Sequence, residues 1–193
     1  MNEPNEPRRR FLIGVTSFVA GAGLVGVATP FLQSWNPSAK ARAEGAPVRV
    51  DVSKIEPGEM ITLEWQGKPV WVLRRTRENF LNLDKTDHRE ELRDPDSEVN
   101  QQPDYARNAY RSIRDDIFVA VGVCTHLGCV PNYEPDGMLG VEHALYFCPC
   151  HGSKFDLAGR VFKGVPAPTN LIIPPHQYLD NNILEIGADA TTS

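Results

Sequence analysis

Hydrophobic and polar positions recur with different periods along this chain, and the changes of period divide it. Phe11 to Leu32 carries no charged side chain. As a helix these positions extend about 33 Å, enough to cross a hydrocarbon core of roughly 30 Å. Gly14, Gly21, Gly23 and Gly26 dilute the apolar content and leave room for a neighbouring helix to approach. From Asn36 to Pro47 the chain is polar and alanine-rich, with Pro37, Gly45 and Pro47 and mixed charges at Lys40, Arg42 and Glu44, which reads as a linker. Ala39-Lys40-Ala41 and Ala41-Arg42-Ala43 each fit a loose A-x-A cleavage pattern, but the length of the apolar run favours a retained anchor.

Beyond the linker the period shortens to two. Val48 to Val52 alternates, and Met60 to Trp65 followed by Pro69 to Arg74 predicts a hairpin around Gln66-Gly67-Lys68. Arg77 to Asp84 has helical spacing at Phe80, Leu81 and Leu83. Lys85 to Asp116 is heavily charged and contains Pro95 and Pro103, so it predicts a solvated excursion rather than a binding site. Ile117 to Val123 and Ala144 to Phe147 are apolar runs that lead directly into two cysteine-bearing loops. Leu171 to Ile173, Tyr178 and Ile183 to Ile186 supply closing strands, with Asp180-Asn181-Asn182 as a turn. The class is therefore mainly β, with one N-terminal transmembrane helix.

Composition narrows the function classes. The formal net charge is −5, and no basic patch interleaved with aromatics occurs, which argues against nucleic acid as a partner. No glycine-rich phosphate loop is present. His88, His143 and His176 stand apart from the cysteines and read as ordinary surface or loop residues.

The chemistry sits in two matched boxes, Cys124-Thr125-His126-Leu127-Gly128-Cys129 and Cys148-Pro149-Cys150-His151-Gly152-Ser153, which hold all four cysteines of the chain. In each, a cysteine precedes a histidine by two or three residues and one further cysteine is left over. Four chemistries compete. A tetrahedral zinc site can use two cysteines and two histidines but needs nothing from the remaining thiols. Two plain disulfides leave both histidines idle, and a cysteine nucleophile with a histidine partner does not require a duplicated box. A two-iron, two-sulfide cluster with thiolates on one iron and imidazoles on the other fits best, and zinc stays open as the alternative.

The boxes resemble those of the Rieske iron-sulfur proteins of quinol-oxidising cytochrome bc complexes. Gly164-Val165-Pro166-Ala167-Pro168 is similar to the proline loop that covers the cluster in that family. The resemblance implies that Cys124 and Cys148 ligate one iron, that His126 and His151 ligate the other, and that Cys129 pairs with Cys150. It implies one [2Fe-2S] cofactor, and a Rieske-type antiparallel β-sandwich base with an inserted cluster-binding subdomain. Leu127, Gly128, Gly164, Pro166, Ala167 and Pro168 then form the docking tip and the cover of the cluster.

Mixed ligation has an electrostatic purpose. Two ferric ions and two sulfides leave two positive charges, which two thiolates cancel, whereas four thiolates leave the site doubly negative. The neutral site takes an electron more readily, at roughly −150 to +300 mV against about −400 mV for the plant type. A ligating imidazole keeps its second nitrogen for a proton or hydrogen bond, so electron and proton uptake are coupled. The resemblance assigns the contact with quinol to His151, with His126 as the companion ligand, and matches Ser153 to a hydroxyl donor toward sulfur. The chain departs from many members of the family at Phe155, where they have a tyrosine whose hydroxyl contacts a ligand sulfur.

The implied disulfide places the head in an oxidising compartment. Arg8-Arg9-Arg10-Phe11-Leu12 resembles the bacterial twin-arginine signal, which exports proteins already folded around a cofactor; a simple positive-inside flank predicts the same orientation. The expected organisation is a cytoplasmic twin-arginine segment at 1–10, an anchor helix at 11–33, a hinge linker at 34–47 and an extrinsic domain at 48–193, its cluster subdomain at about 122–170. The implied function is the iron-sulfur subunit of a quinol-cytochrome c reductase in a bacterial inner membrane. Its implied partners are ubiquinol, a cytochrome b subunit and a membrane-bound c-type cytochrome, within a dimeric complex. An anchored Rieske subunit of another periplasmic oxidoreductase, such as arsenite oxidase, is the alternative. Soluble Rieske ferredoxins typically lack the paired cysteines and the anchor, and a zinc-stabilised exported binding module would lack redox activity.

Overall fold

The computed structural model describes residues 6–38 and 45–188. The chain divides into two compact units, Met1–Ala43 and Glu44–Ser193. Both A-x-A patterns, residues 39–44 of the expected linker and residues 1–5 of the N-terminal segment lie outside the described residues.

In the first unit one helix, α1, runs Glu6–Ser34. It starts ahead of the apolar run, with Pro7 in the first turn, where its missing N–H is not needed, and with Glu6 facing Arg9 and Arg10 at 3.8 Å. None of its residues is buried. Its hydroxyls find acceptors within the helix: Thr16 Oγ1 donates to Leu12 O and Thr29 Oγ1 to Val25 O, both at 2.7 Å, and Ser34 Oγ donates to Phe31 O at 2.6 Å. By length and composition α1 can cross a membrane. Its internal hydroxyl bonds remove polar groups that lipid could not satisfy.

Among the described residues the second unit contains nine strands: β1 Val48–Asp51, β2 Met60–Trp65, β3 Lys68–Arg74, β4 Ile117–Val121, β5 Asn132–Glu134, β6 Leu145–Cys148, β7 Ser153–Phe155, β8 His176–Tyr178 and β9 Ile183–Ile186. Two short helices, α2 Arg77–Leu83 and α3 Thr86–Glu90, follow β3. The strands form three antiparallel sheets ordered β1-β9-β8, β2-β3-β4 and β5-β6-β7.

The central sheet, β2-β3-β4, is buried on both faces, and the alternation of its side chains shows why. Val70 and Val72 of β3 with Ile117, Val119 and Val121 of β4 point one way, against Val52, Ile55, Leu184 and Ile186 around the β1-β9-β8 sheet. Trp71, Leu73, Phe118 and Ala120 point the other way, against Tyr146 and Phe155 of the β5-β6-β7 sheet. The base is thus a sandwich of two sheets, as expected, and the subdomain inserted between β4 and β8 adds a third layer. Trp71 stacks on Tyr146 with ring centroids 4.8 Å apart, and Phe118 stacks on the same ring at 6.1 Å.

Three expectations are corrected. The charged stretch 85–116 is not a solvated excursion: Leu92, Ser97, Gln102, Ala106, Arg111 and Ser112 within it are buried. It runs as a strap along the subdomain, with Leu92 bridged to Phe162, Arg93 N donating to Val161 O at 2.9 Å and Lys163 N donating to Glu91 O at 2.8 Å. Its buried guanidinium, Arg111, donates to backbone carbonyls and to Gln102 Oε1, which composition alone does not distinguish from solvation. His88 and His176 are likewise 5% and 1% exposed, and His143 is half-buried. Finally, Leu171 to Ile173 is not a strand; it makes single bonds, Val121 N to Ile172 O at 2.8 Å and Ile173 N to Gln101 O at 2.9 Å, in place of a ladder.

Gly122 follows β4 and leads into the first box, where a Cβ would fall inside the ring of Trp71. That ring is held by Tyr146 and cannot retreat. Gly122→Ala is expected to destabilise the head by ~1–3 kcal/mol as an overpacked core, read as a lower thermal midpoint.

Candidate metal centre

The two boxes leave different sheets, the first after β4 and the second at the end of β6, and turn the same way. Gly128 N donates to Cys124 O at 3.0 Å and Gly152 N to Cys148 O at 2.9 Å, with φ of +86° and +77° at the two glycines. A side chain at either would be strained in that left-handed conformation. Cys124 N also donates to Cys129 O at 2.7 Å, which closes the first loop.

These turns bring the candidate residues together. Cys124 and Cys148 are free thiols, each 2% exposed. His126 and His151 meet edge to face with ring centroids 4.7 Å apart; His126 is half-buried and His151 exposed. Cys129 and Cys150 form a disulfide that ties one loop to the other, with Cα atoms 6.6 Å apart. The sulfurs of Cys129, Cys148 and Cys150 lie within 4.8 Å of one another. Two of them are consumed by the disulfide, however, so the donors that remain are two thiols and two imidazoles.

That donor set fits a mixed-ligand two-iron cluster. Burial pushes the Cys148 thiol up, the backbone amides of Cys150 and His151 pull it down, and the adjacent Cys124 thiol raises it further. A thiolate at Cys148 in so buried a place calls for a cation beside it. The imidazoles on the solvent side keep a ring nitrogen within reach of an external partner.

The proline loop lies over both boxes. Ala167 N donates to Ser153 Oγ at 3.0 Å, and Thr125 Oγ1 donates to Thr169 O at 2.7 Å. Ser153 and Ala167 are fully buried, whereas Leu127 is 72% exposed and Gly128, Gly164, Pro166 and Pro168 are also exposed. Every site residue expected from the sequence therefore lies at or around one tip. Thr125 was missed there, although it stands inside the first box.

Behind the tip lies a set of buried charges that the sequence did not reveal. Asp156, directly after β7, accepts from Ala158 N and Arg160 N through Oδ1 and from Arg160 Nε through Oδ2, all at 2.8–2.9 Å, while His88 Nε2 lies 3.0 Å from Oδ2. Burial works to raise the Asp156 carboxyl, but the charge of Arg160 and the hydrogen bond of His88 outweigh it and hold it well below the usual carboxylate range. Arg111 donates to Ala158 O, Gly159 O and Leu171 O, and Arg75 donates to Leu157 O, Tyr110 O and Asp115 O. Burial lowers both guanidiniums to about 10, so they stay charged at neutral pH.

Family comparisons agree with this geometry. A model described as "Rieske [2Fe-2S] domain" matches residues 47–176, and one described as "Ubiquitinol-cytochrome C reductase Fe-S subunit TAT signal" matches residues 1–38. The protein named "Ubiquinol-cytochrome c reductase iron-sulfur subunit" in Allochromatium vinosum is 52% identical over 189 residues, covering 96% of this chain and 90% of the relative. Proteins of the same name in Rhodospirillum rubrum and Blastochloris viridis are 42% and 39% identical, covering 93% and 94% of this chain and 91% and 93% of the relatives.

Asp156→Asn is expected to cost ~3–5 kcal/mol, because it leaves Arg160 buried without its counter-charge. The depressed carboxyl contributes stability that is present above its unfolded value of about 3.9 and is lost as pH falls through the native value. Denaturant unfolding across pH should therefore show a steep acid limb in the native chain that flattens in the variant.

Proposed function

The chain belongs to the Rieske [2Fe-2S] family and, within it, to the iron-sulfur subunits of ubiquinol-cytochrome c reductase, and on that premise we propose that its head carries single electrons from ubiquinol to a membrane-bound c-type cytochrome. The carrying observation is the split of the donor set, with two thiols buried and two imidazoles turned outward at one tip. The bound [2Fe-2S] cluster supplies a one-electron acceptor whose mixed ligation sets a potential of roughly −150 to +300 mV, within reach of a quinol.

Cys124 and Cys148 would hold one iron, and His126 and His151 the other. His151, the more exposed imidazole, accepts the hydrogen bond of the quinol hydroxyl on its free nitrogen and takes up the proton that accompanies the electron. His126 completes the pair from the half-buried side. Ser153 accepts from Ala167 N, which leaves its own O–H free to donate, and by resemblance to the family that donation goes to sulfur. The disulfide keeps the loops in register whether or not the site is loaded.

The exposed residues of the tip, Leu127 and Gly128 with Pro166 and Pro168, dock first on a cytochrome b subunit and then on the c-type cytochrome. α1 crosses the bacterial inner membrane with Arg8, Arg9 and Arg10 on the cytoplasmic side, and the disulfide-bearing head lies in the periplasm. Residues 34–47 act as the hinge, and the complex is dimeric. The activity belongs to that complex; this chain supplies one relay. A Rieske subunit of an enzyme such as arsenite oxidase fits less well, because the head and the N-terminal segment both match reductase-type sequences.

The test is low-temperature electron paramagnetic resonance of dithionite-reduced membranes carrying the chain, with and without a quinol-site inhibitor. The expected result is a signal of average g below 2 that shifts with inhibitor; zinc in place of iron would overturn the proposal. In the same assay Phe155→Tyr should raise the midpoint potential, since it adds a hydroxyl donor toward sulfur at a fully buried position of β7. An unchanged or lower midpoint would count against that role.

A further inference from the structure

The hydrogen bonds around the proline loop converge on one buried side chain outside it. Asn170 is 1% exposed. Its Oδ1 accepts from Val161 N at 2.9 Å and thereby closes the base of the segment 161–170. Its Nδ2 donates to Asp94 O at 3.0 Å and to Ser97 Oγ at 3.4 Å, both in the strap. The orientation of the amide is fixed by its neighbours: Val161 N–H can only donate and Asp94 O can only accept, so Oδ1 and Nδ2 cannot exchange places.

Within the segment that Asn170 closes lie the two bonds that reach the ligand boxes, one to each. Ala167 N meets Ser153 Oγ of the second box, and Thr169 O meets Thr125 Oγ1 of the first. Pro166 and Pro168 have no N–H, so Ala167 is the one backbone donor among these three residues. Apart from the packing of Val165 and Ala167 on the core, the outer part of the loop has few polar ties. A Cβ at Gly164 would meet nothing within 4 Å, and Val165, whose side chain packs on the core, has as its polar tie a carbonyl that accepts from exposed Arg93 Nη2 at 2.9 Å. The place of Ala167 N, and hence the direction in which Ser153 Oγ can point its proton, is set by the burial of Ala167 together with the base that Asn170 closes.

We propose that Asn170 is a positioning residue of the redox site: its amide locks the proline loop to the strap and, through Ala167, aims the Ser153 hydroxyl. This rests on the function proposed above, in which Ser153 donates to sulfur and favours the reduced, more negative site. With the base open, the Ala167 amide no longer fixes the serine, and the reduced site loses that donor.

The test is redox titration, followed by electron paramagnetic resonance, of the full chain in membranes with Asn170→Ala, Ser153→Ala and both substitutions together. Asn170→Ala should lower the midpoint by the equivalent of a tenfold loss in stability of the reduced site, ~59 mV for one electron. In the double variant the two shifts should fall well short of additive, because both remove the same donor. Asn170→Asp, which keeps the acceptor for Val161 N–H and loses the donors to the strap, should lower the midpoint as well. An unshifted midpoint in Asn170→Ala, or fully additive shifts, overturns the inference. So does loss of the signal in both Asn170 variants, since a residue without which no cluster is held acts in folding and not in positioning. A wild-type chain without the mixed-ligand signal would instead overturn the function on which the inference rests.

Discussion

Two loops that leave different sheets must end at the same point, and the rest of the head is organised around holding them there. β4 delivers the first box and β6 the second, and no ladder joins these strands. Their convergence depends on packing between layers, in which Tyr146 of β6 lies against Trp71 and Phe118 of the central sheet. The disulfide fastens the far ends of the same two loops. A sheet edge or a single hairpin would have placed both boxes with less apparatus. It would also have left the thiols in solvent, where their low exposure here shows they are not wanted.

The strap explains how so small a subdomain stays rigid with its tip exposed. β5, β6 and β7 are short strands and bury one face on the central sheet; the opposite side is closed by residues 85–116. Arg111, Arg75 and Arg160 each reach several backbone carbonyls of turns that have no ladder of their own. Guanidinium suits this task because its five donors lie in a fixed plane and it stays charged when buried. One carboxylate, Asp156, is buried among three guanidiniums; Arg75 and Arg111 donate mainly to carbonyl dipoles. The arrangement is costly to desolvate and severe to break, so it favours one arrangement of the turns over all others.

Much of this was legible in the residues. The ligand boxes and the proline loop could be read because their chemistry depends on residue type and spacing within a few positions. The hairpin of β2 and β3 and the apolar runs of β4 and β6 could be read because they follow local periods. The strap could not. Arg111 and Arg75 carry the same letters as solvated arginines, and what receives them is a set of carbonyls 35 to 82 positions further along the chain. Asn170 was invisible for a related reason: a lone asparagine after a proline run reads as a turn residue, and its partners Val161 and Asp94 are chosen by the fold. His88 shows the same failure, since only the folded chain puts it beside Asp156.

Exposure at one end and order at the other are two sides of one requirement. In the relay proposed here an imidazole must come close to a donor and then to an acceptor, and His151 with the residues beside it is left uncovered. A residue that is open to solvent has few neighbours to hold it, and its geometry must come from behind. Here it comes through bonds that run inward from the tip: from the ligand turns to Ser153 and Thr125, from these to Ala167 and Thr169, and from there through Asn170 to the strap. Ser153, Ala167 and Asn170 along this route are all buried. The charged stretch, which in composition looks the least structured part of the head, is therefore the part against which the redox tip is braced.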